Sequence, residues 1–367
     1  MSQDAQRTTN VWLGLTLLAC CVPAAWCLVH ISDVLGHPFQ LDVGEGGVLN
    51  FALMLAQRGT YFLPVTSLPL VHGSYPPVFP FLTMLLAGVL GFSLFTVRMV
   101  AVLGTLAAVG ALFVLLRRLT ARPLLAASLA LLFLAPDFAQ QWAPLGRVDT
   151  LAIFFAVLGL HLHLRAARDN GGVPALAIAC FVLAFFTKQN FILAPVAVCL
   201  GTAVRFGVTK ALVRSAATYV LTVALLIASG NVWTDGEFVR HLFTYTAVLK
   251  ILPDMTLARA GEFLVATWPL LLLGAAGLAL GWRGLRRSPA VIPVIYFSLS
   301  MLTMAVSGRE GANVNFLLEP LASVIILAGA VIPLLPPRLL VLAPLWVQLF
   351  RFSLVVAKKE RSKCLSE

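Results

Sequence analysis

Residues able to do chemistry are sparse in this chain, and they come in short groups. Leu41-Asp-Val-Gly-Glu45 sets two carboxylates one helical turn apart, and His72 and Tyr75 share one short polar stretch. Arg98 stands alone in an apolar run, and Gly146-Arg-Val-Asp149 puts a cation beside a carboxylate. Lys188-Gln-Asn190 joins a cation to two amides. Gly308-Arg-Glu-Gly-Ala-Asn-Val-Asn315, with Glu319 close behind, is the most polar group of all. A carboxylate can take the proton of a hydroxyl nucleophile. A Lys or Arg at headgroup depth can bind a lipid-linked phosphate.

The elements that must position these groups are apolar. Of 367 residues 60% are hydrophobic and only 11% charged, and the mean hydropathy is +0.95. A soluble domain with so little charge could not cover its surface, so the expectation is an all-α polytopic membrane protein. The net charge of +11 does not indicate nucleic acid. Its Lys and Arg residues sit in short clusters between apolar runs, where they report topology. The cysteines form no CxxC pair and no Cys/His cluster, so neither a disulfide framework nor a zinc site is expected. The run from Val11 to Ile31 is long for a signal-peptide core and reads as an uncleaved first span.

Whether the run 77–96 crosses decides the topology. If it lies along one surface, Arg117, Arg118, Arg122, Arg205, Lys210, Arg214, Arg286 and Arg287 gather on the cytoplasmic side, as the positive-inside bias requires. Pro76, Pro77 and Pro80, with Gly88 and Gly91, also suit an interfacial or re-entrant segment. About eleven spans follow, with a long first outer loop over residues 32–97 and a second over about 231–262. Residues 1–357 read as one membrane domain and 358–367 as a basic tail, whose side stays open.

This topology puts Asp42, Glu45, His72, Tyr75, Arg98, Arg147, Asp149, Lys188, Gln189, Arg309, Asn313, Asn315 and Glu319 on one side, as the lining of a polar cavity at the outer leaflet. Each also has a plainer reading. Asp42 could cap a helix near 45–58, Asp149 could satisfy a helix dipole, and Lys188 could snorkel to headgroups. Trp233-Thr-Asp-Gly-Glu237 reads as loop surface, and His161 and His163 as interfacial rather than metal ligands. A transporter is the alternative to an enzyme, but it would show repeated halves and broken mid-bilayer helices, and no repeat is visible.

In their order, spacing and shared side, these motifs resemble the GT-C glycosyltransferases, the superfamily of protein O-mannosyltransferases and lipid A aminoarabinose transferases. The bacterial branch of family 39, RgtA/B/C/D-like, is the most similar. The residues that carry the resemblance are Asp42-Val-Gly-Glu45, His72-Gly-Ser-Tyr-Pro-Pro77, Arg98, Gly146-Arg-Val-Asp-Thr-Leu151, Phe186-Thr-Lys-Gln-Asn190 and Asn313-Val-Asn-Phe-Leu-Leu-Glu319. The resemblance implies a GT-C fold with juxtamembrane helices in the first loop, in a bacterial inner membrane with the site facing the periplasm or exterior. It implies transfer of a sugar, with inversion, from a polyprenyl-phosphate donor to a lipid, glycan or protein acceptor. Asp42 then maps to the general base, with Glu45 positioning the acceptor or exchanging roles with it. Lys188, Arg98 and Arg147 are the cations for the departing phosphate. No cofactor or metal is demanded, although metal use varies across the superfamily and a divalent cation stays open. Many relatives continue further, so a shortened C-terminus or a missing terminal domain is also an expectation.

Overall fold

A computed structural model describes residues 3–66, 71–166, 171–285 and 288–334, with side chains from residue 10 to 333 within those ranges. The last apolar run of the sequence, 339–357, the tail 358–367, Arg168, Asp169, the Arg286-Arg287 pair and the side chain of Arg7 lie outside the described residues. Among the described residues the fold is helical. Its only β feature is an isolated bridge between Ile251 and Arg309.

The helices are α1 (Gln3–Gly36), α2 (Val43–Arg58), α3 (Val78–Leu90), α4 (Leu94–Thr120), α5 (Pro123–Leu131), α6 (Asp137–Trp142), α7 (Asp149–Ala166), α8 (Ala175–Thr187), α9 (Leu193–Phe206) and α10 (Lys210–Trp233). Next come the short α11 (Glu237–Val239) and α12 (Tyr245–Ala247), joined by a π-helical turn over Arg240–Thr244, and then α13 (Pro253–Leu285), α14 (Val291–Ser300) and α15 (Leu318–Val331). Six segments are long and apolar enough to cross a membrane: Asn10–Gly36, α4, α7, α10, α13 and Val314–Val331. With five shorter apolar helices beside them, they make this an integral membrane protein.

Local sequence explains the boundaries that matter to the site. Asp42 and Ser93 have extended backbones, and their side chains accept from the first turns of α2 and α4. These bonds satisfy amides that a helix start leaves unpaired. The apolar run 77–96 is therefore two helices. Gly91, at φ 78°, turns the chain at the end of α3, and Ser93 starts α4.

At 13 residues α3 is roughly 20 Å long, short of the ~30 Å hydrocarbon core. Tyr75 just before it bonds Arg147, and Arg98 in the first turns of α4 bonds Glu45. Both ends of α3 thus return to one end of the bundle. The expected second loop is largely helical, because α10 runs to Trp233 and α13 begins at Pro253. α15 is almost wholly buried and forms the centre of the bundle, packing on α4, α13 and α14. α10 is mostly uncovered, with Val220, Leu221 and Leu225 facing outward, as a lipid-facing rim helix requires.

Candidate active site

The starts of α2, α3, α4 and α7, the turn before α15 and the ends of α1, α6 and α8 meet at one end of the bundle. The most buried group there is Glu45 with Arg98, both side chains fully buried. Arg98 Nε and Nη2 donate to the two oxygens of Glu45 at 2.9 Å each, a bidentate pair. The remaining N–H groups of Arg98 donate to Val34 O (2.7 Å) in the last turn of α1 and to His37 O (2.6 Å) and Phe39 O (2.7 Å) just beyond it. All five guanidinium donors are used. Glu45 also accepts from the backbone N–H of Gly146 (2.9 Å) and Leu41 (2.8 Å). Burial alone would raise its carboxyl, but the Arg98 pair and these two amides more than offset it, holding Glu45 below the usual carboxylate range. The pair therefore fastens α1, α2, α4 and the 146–147 turn together.

Asp42 behaves differently. Its Oδ1 accepts from Gly44 N at 2.9 Å, the helix cap anticipated from sequence, and from Arg147 Nη1 at 2.7 Å. Both bonds go to Oδ1, and about a fifth of the side chain stays exposed. Arg147 Nη2 donates to the Tyr75 hydroxyl at 2.6 Å, and its guanidinium lies 5.2 Å from the Trp142 ring centre and 5.5 Å from that of Tyr75. Its Nε is buried without a hydrogen-bond partner. This cation has donor capacity left, whereas Arg98 has none.

Asp149, at the start of α7, takes three donors. Lys188 Nζ (2.5 Å) and Asn315 Nδ2 (2.9 Å) bond Oδ1, and Trp142 Nε1 (2.9 Å) bonds Oδ2. Lys188 is buried and lies 4.5 Å from the Phe316 ring centre, which rules out the snorkelling reading. Trp142 joins the two groups, since its N–H holds Asp149 while its ring faces Arg147. Deeper in the bundle, Glu319 accepts from the buried Tyr296 hydroxyl at 3.2 Å.

The remaining candidates lie around this network. Gln189 Nε2 donates to Ser74 O (3.2 Å) and Leu242 O (3.4 Å), bracing the turn that carries Tyr75. His72 is exposed and stacks on His241, with ring centres 5.4 Å apart. Asn313 caps the turn at Val314, and Arg309 sits on the 308–312 loop, bridged by its backbone to Ile251. No recorded hydrogen bond or ion pair joins the side chains of these last two to the Asp42 or Asp149 groups.

Several contributors have no signal in their residue type. Gly44 and Gly146 are defined by what they leave room for. A Cβ on Gly44 would lie 1.3 Å from Arg147 Nη1, and one on Gly146 would lie 2.5 Å from Val97 Cγ1. Trp142 and Tyr296 read as core aromatics until their polar atoms find Asp149 and Glu319. Glu237, expected on a loop surface, is buried and paired with Arg240 at 2.6 Å, because the surrounding segment folds as helix against the first loop.

The family described as dolichyl-phosphate-mannose-protein mannosyltransferase matches residues 74–233. That stretch includes Tyr75, Arg98, Arg147, Asp149 and Lys188. No curated protein matches the chain in sequence. ArnT from Cupriavidus metallidurans in the apo state is similar in structure, with a TM-score of 0.58 and 19% identity over 87% of this chain and 60% of that one. ArnT bound to undecaprenyl phosphate gives 0.53 and 17%, over 92% of this chain and 63% of that one. The chain has the GT-C fold. It spans about three fifths of the length of those relatives.

Proposed function

We propose that this GT-C protein is a glycosyltransferase that moves a sugar from a polyprenyl-phosphate donor to an acceptor hydroxyl. The carrying observation is a connected network in which Asp42, a carboxylate with an unengaged oxygen, bonds Arg147, and Trp142 and Asp149 link that cation to a second one, Lys188. The similarity to ArnT, one of whose structures holds undecaprenyl phosphate, supports a polyprenyl-phosphate donor.

In this reading Asp42 Oδ2 takes the proton of the acceptor hydroxyl as its oxygen attacks the anomeric carbon. The bond from that carbon to the phosphate oxygen breaks on the opposite face, so the centre inverts. The electron pair goes to the polyprenyl phosphate, where Arg147 and Lys188 meet the developing charge. Arg147 serves both ends of the step: its Nη1 holds Asp42 in place, and its unpartnered Nε can bind phosphate. Asp149 holds Lys188 in place, with Trp142 and Asn315 fixing Asp149 in turn. Glu45 and Arg98 are structural here, because every donor of Arg98 and both oxygens of Glu45 are engaged. The site faces the periplasm or exterior of a bacterial inner membrane, consistent with the basic clusters on the opposite side of the sequence topology. A polar network gathered at one end of the bundle suits an enzyme better than a midplane translocation path.

Undecaprenyl phosphate binding to the detergent-solubilised chain tests the donor half of this proposal. Lys188→Ala is expected to weaken binding by about tenfold to a hundredfold, the loss of one charge-assisted contact. Asp42→Asn is expected to leave binding within about twofold. Equal affinity in wild type and Lys188→Ala would remove Lys188 from the phosphate site.

A further inference from the structure

His241 is fully buried, and it lies on the π-helical turn between α11 and α12. Such turns are rare and concentrate at functional sites. Nδ1 accepts from the backbone N–H of Gly73 at 2.9 Å, so that nitrogen carries no proton. The ring is therefore the Nε2–H tautomer, and Nε2 donates to Leu63 O at 2.8 Å. One imidazole thus clasps the first loop at two points ten residues apart and ties it to the segment after α10. Glu237 Oε2 lies 3.6 Å from Nε2, Tyr245 stands edge-on at 5.2 Å, and the rings of His72 and Phe62 complete the surroundings.

What the clasp holds is the Tyr75 turn. Gly73 is pressed between aromatic rings, since an added Cβ would lie 3.0 Å from both Tyr61 and Phe62. Ser74 O is held by Gln189 Nε2 and Tyr75 O by the Tyr61 hydroxyl at 2.8 Å. Each residue of the 73–75 turn has its own anchor, and the Gly73 anchor comes from the second loop. The Tyr75 hydroxyl, at the end of this turn, is the atom that accepts from Arg147 Nη2.

We propose that His241 is a positioning residue: through Gly73 it holds the Tyr75 turn, and so keeps the Arg147 guanidinium aimed at Asp42 and the phosphate. The identity of the phosphate rests on the transferase reading, but the clasp does not.

The test uses the full chain in detergent, amide hydrogen exchange over residues 71–75, and undecaprenyl phosphate as the binding probe. His241→Ala and His241→Gln are expected to speed Gly73 exchange by more than about tenfold, because both lose the acceptor at the Nδ1 position. His241→Asn, whose side-chain carbonyl reaches that position, is expected to restore slow exchange. Tyr75→Phe and His241→Gln should each weaken undecaprenyl phosphate binding by about tenfold, and the double variant no further than either alone. Unchanged Gly73 exchange in His241→Gln would overturn the proposal, as would equal behaviour of the Asn and Gln variants. Additive losses in the double variant would do the same. A wild-type chain that fails to bind undecaprenyl phosphate contradicts the transferase reading instead, and the exchange result alone then decides the clasp.

Discussion

Asp42 and Glu45 look interchangeable in the sequence, and the structure separates them by counting bonds. Glu45 accepts four hydrogen bonds on its two oxygens, whereas both recorded bonds to Asp42 fall on one. Replacing Arg98 with Met would leave Glu45 buried and ionised without its partner, at a cost of about 3–5 kcal/mol. That predicts loss of folded protein in a thermal stability assay, whereas Asp42→Asn leaves the melting temperature within a few degrees of wild type. The carboxyl of Glu45 is held low in the folded chain, so its contribution is present above the unfolded value of about 4.3. It is lost as pH falls through the lower folded value, and stability measured on an acid titration should drop below about pH 4. Gly44→Ala places a methyl carbon on Arg147 Nη1. The variant is expected to fold, because α2 keeps its cap, but to bind undecaprenyl phosphate about tenfold more weakly. Intact binding in that variant would contradict the role given to Arg147. The sequence shows which residues carry charge, but not which of their hydrogen bonds are already filled. Those depend on backbone carbonyls such as Val34 O and His37 O, which have no residue-type signature.

At the scale of elements, the apolar runs were readable where a cap or a glycine bounds a helix, as Asp42 and Gly59 bound α2 and Ser93 starts α4. The run 77–96 shows the limit. Its hydropathy is continuous, and only Gly91 and Ser93 reveal that it contains the end of α3 and the start of α4. Since both ends of α3 join one site, cysteines placed at His72 and Phe92 are expected to react with a membrane-impermeant maleimide from the same side. Labelling from opposite sides would overturn the path of α3. The second loop was less legible. Glu237 reads as surface because its partner Arg240 meets it only once the segment winds into helix. The π-helical turn that aims His241 at Gly73 leaves no periodic trace in the sequence.

For the whole molecule, composition alone determines an integral membrane protein, and the GT-C fold follows from motif order and is found in the structure. The convergence of distant segments was legible only through topology. Placing residues 42, 98, 147, 188 and 315 on one side anticipates that they meet, but Trp142 joins them for a geometric reason. The transferase account rests on Asp42 as the base of a sugar-transfer step whose other parts leave the protein folded and able to bind lipid phosphate. The most direct measurement is mass spectrometry of glycolipids and envelope glycans from cells carrying the wild-type chain, the Asp42→Asn variant, or neither. The account predicts a sugar-modified species present with the wild type and lost with both the variant and the deletion, while the variant protein is still found in the membrane. The same modified species at wild-type level in the Asp42→Asn cells would contradict it.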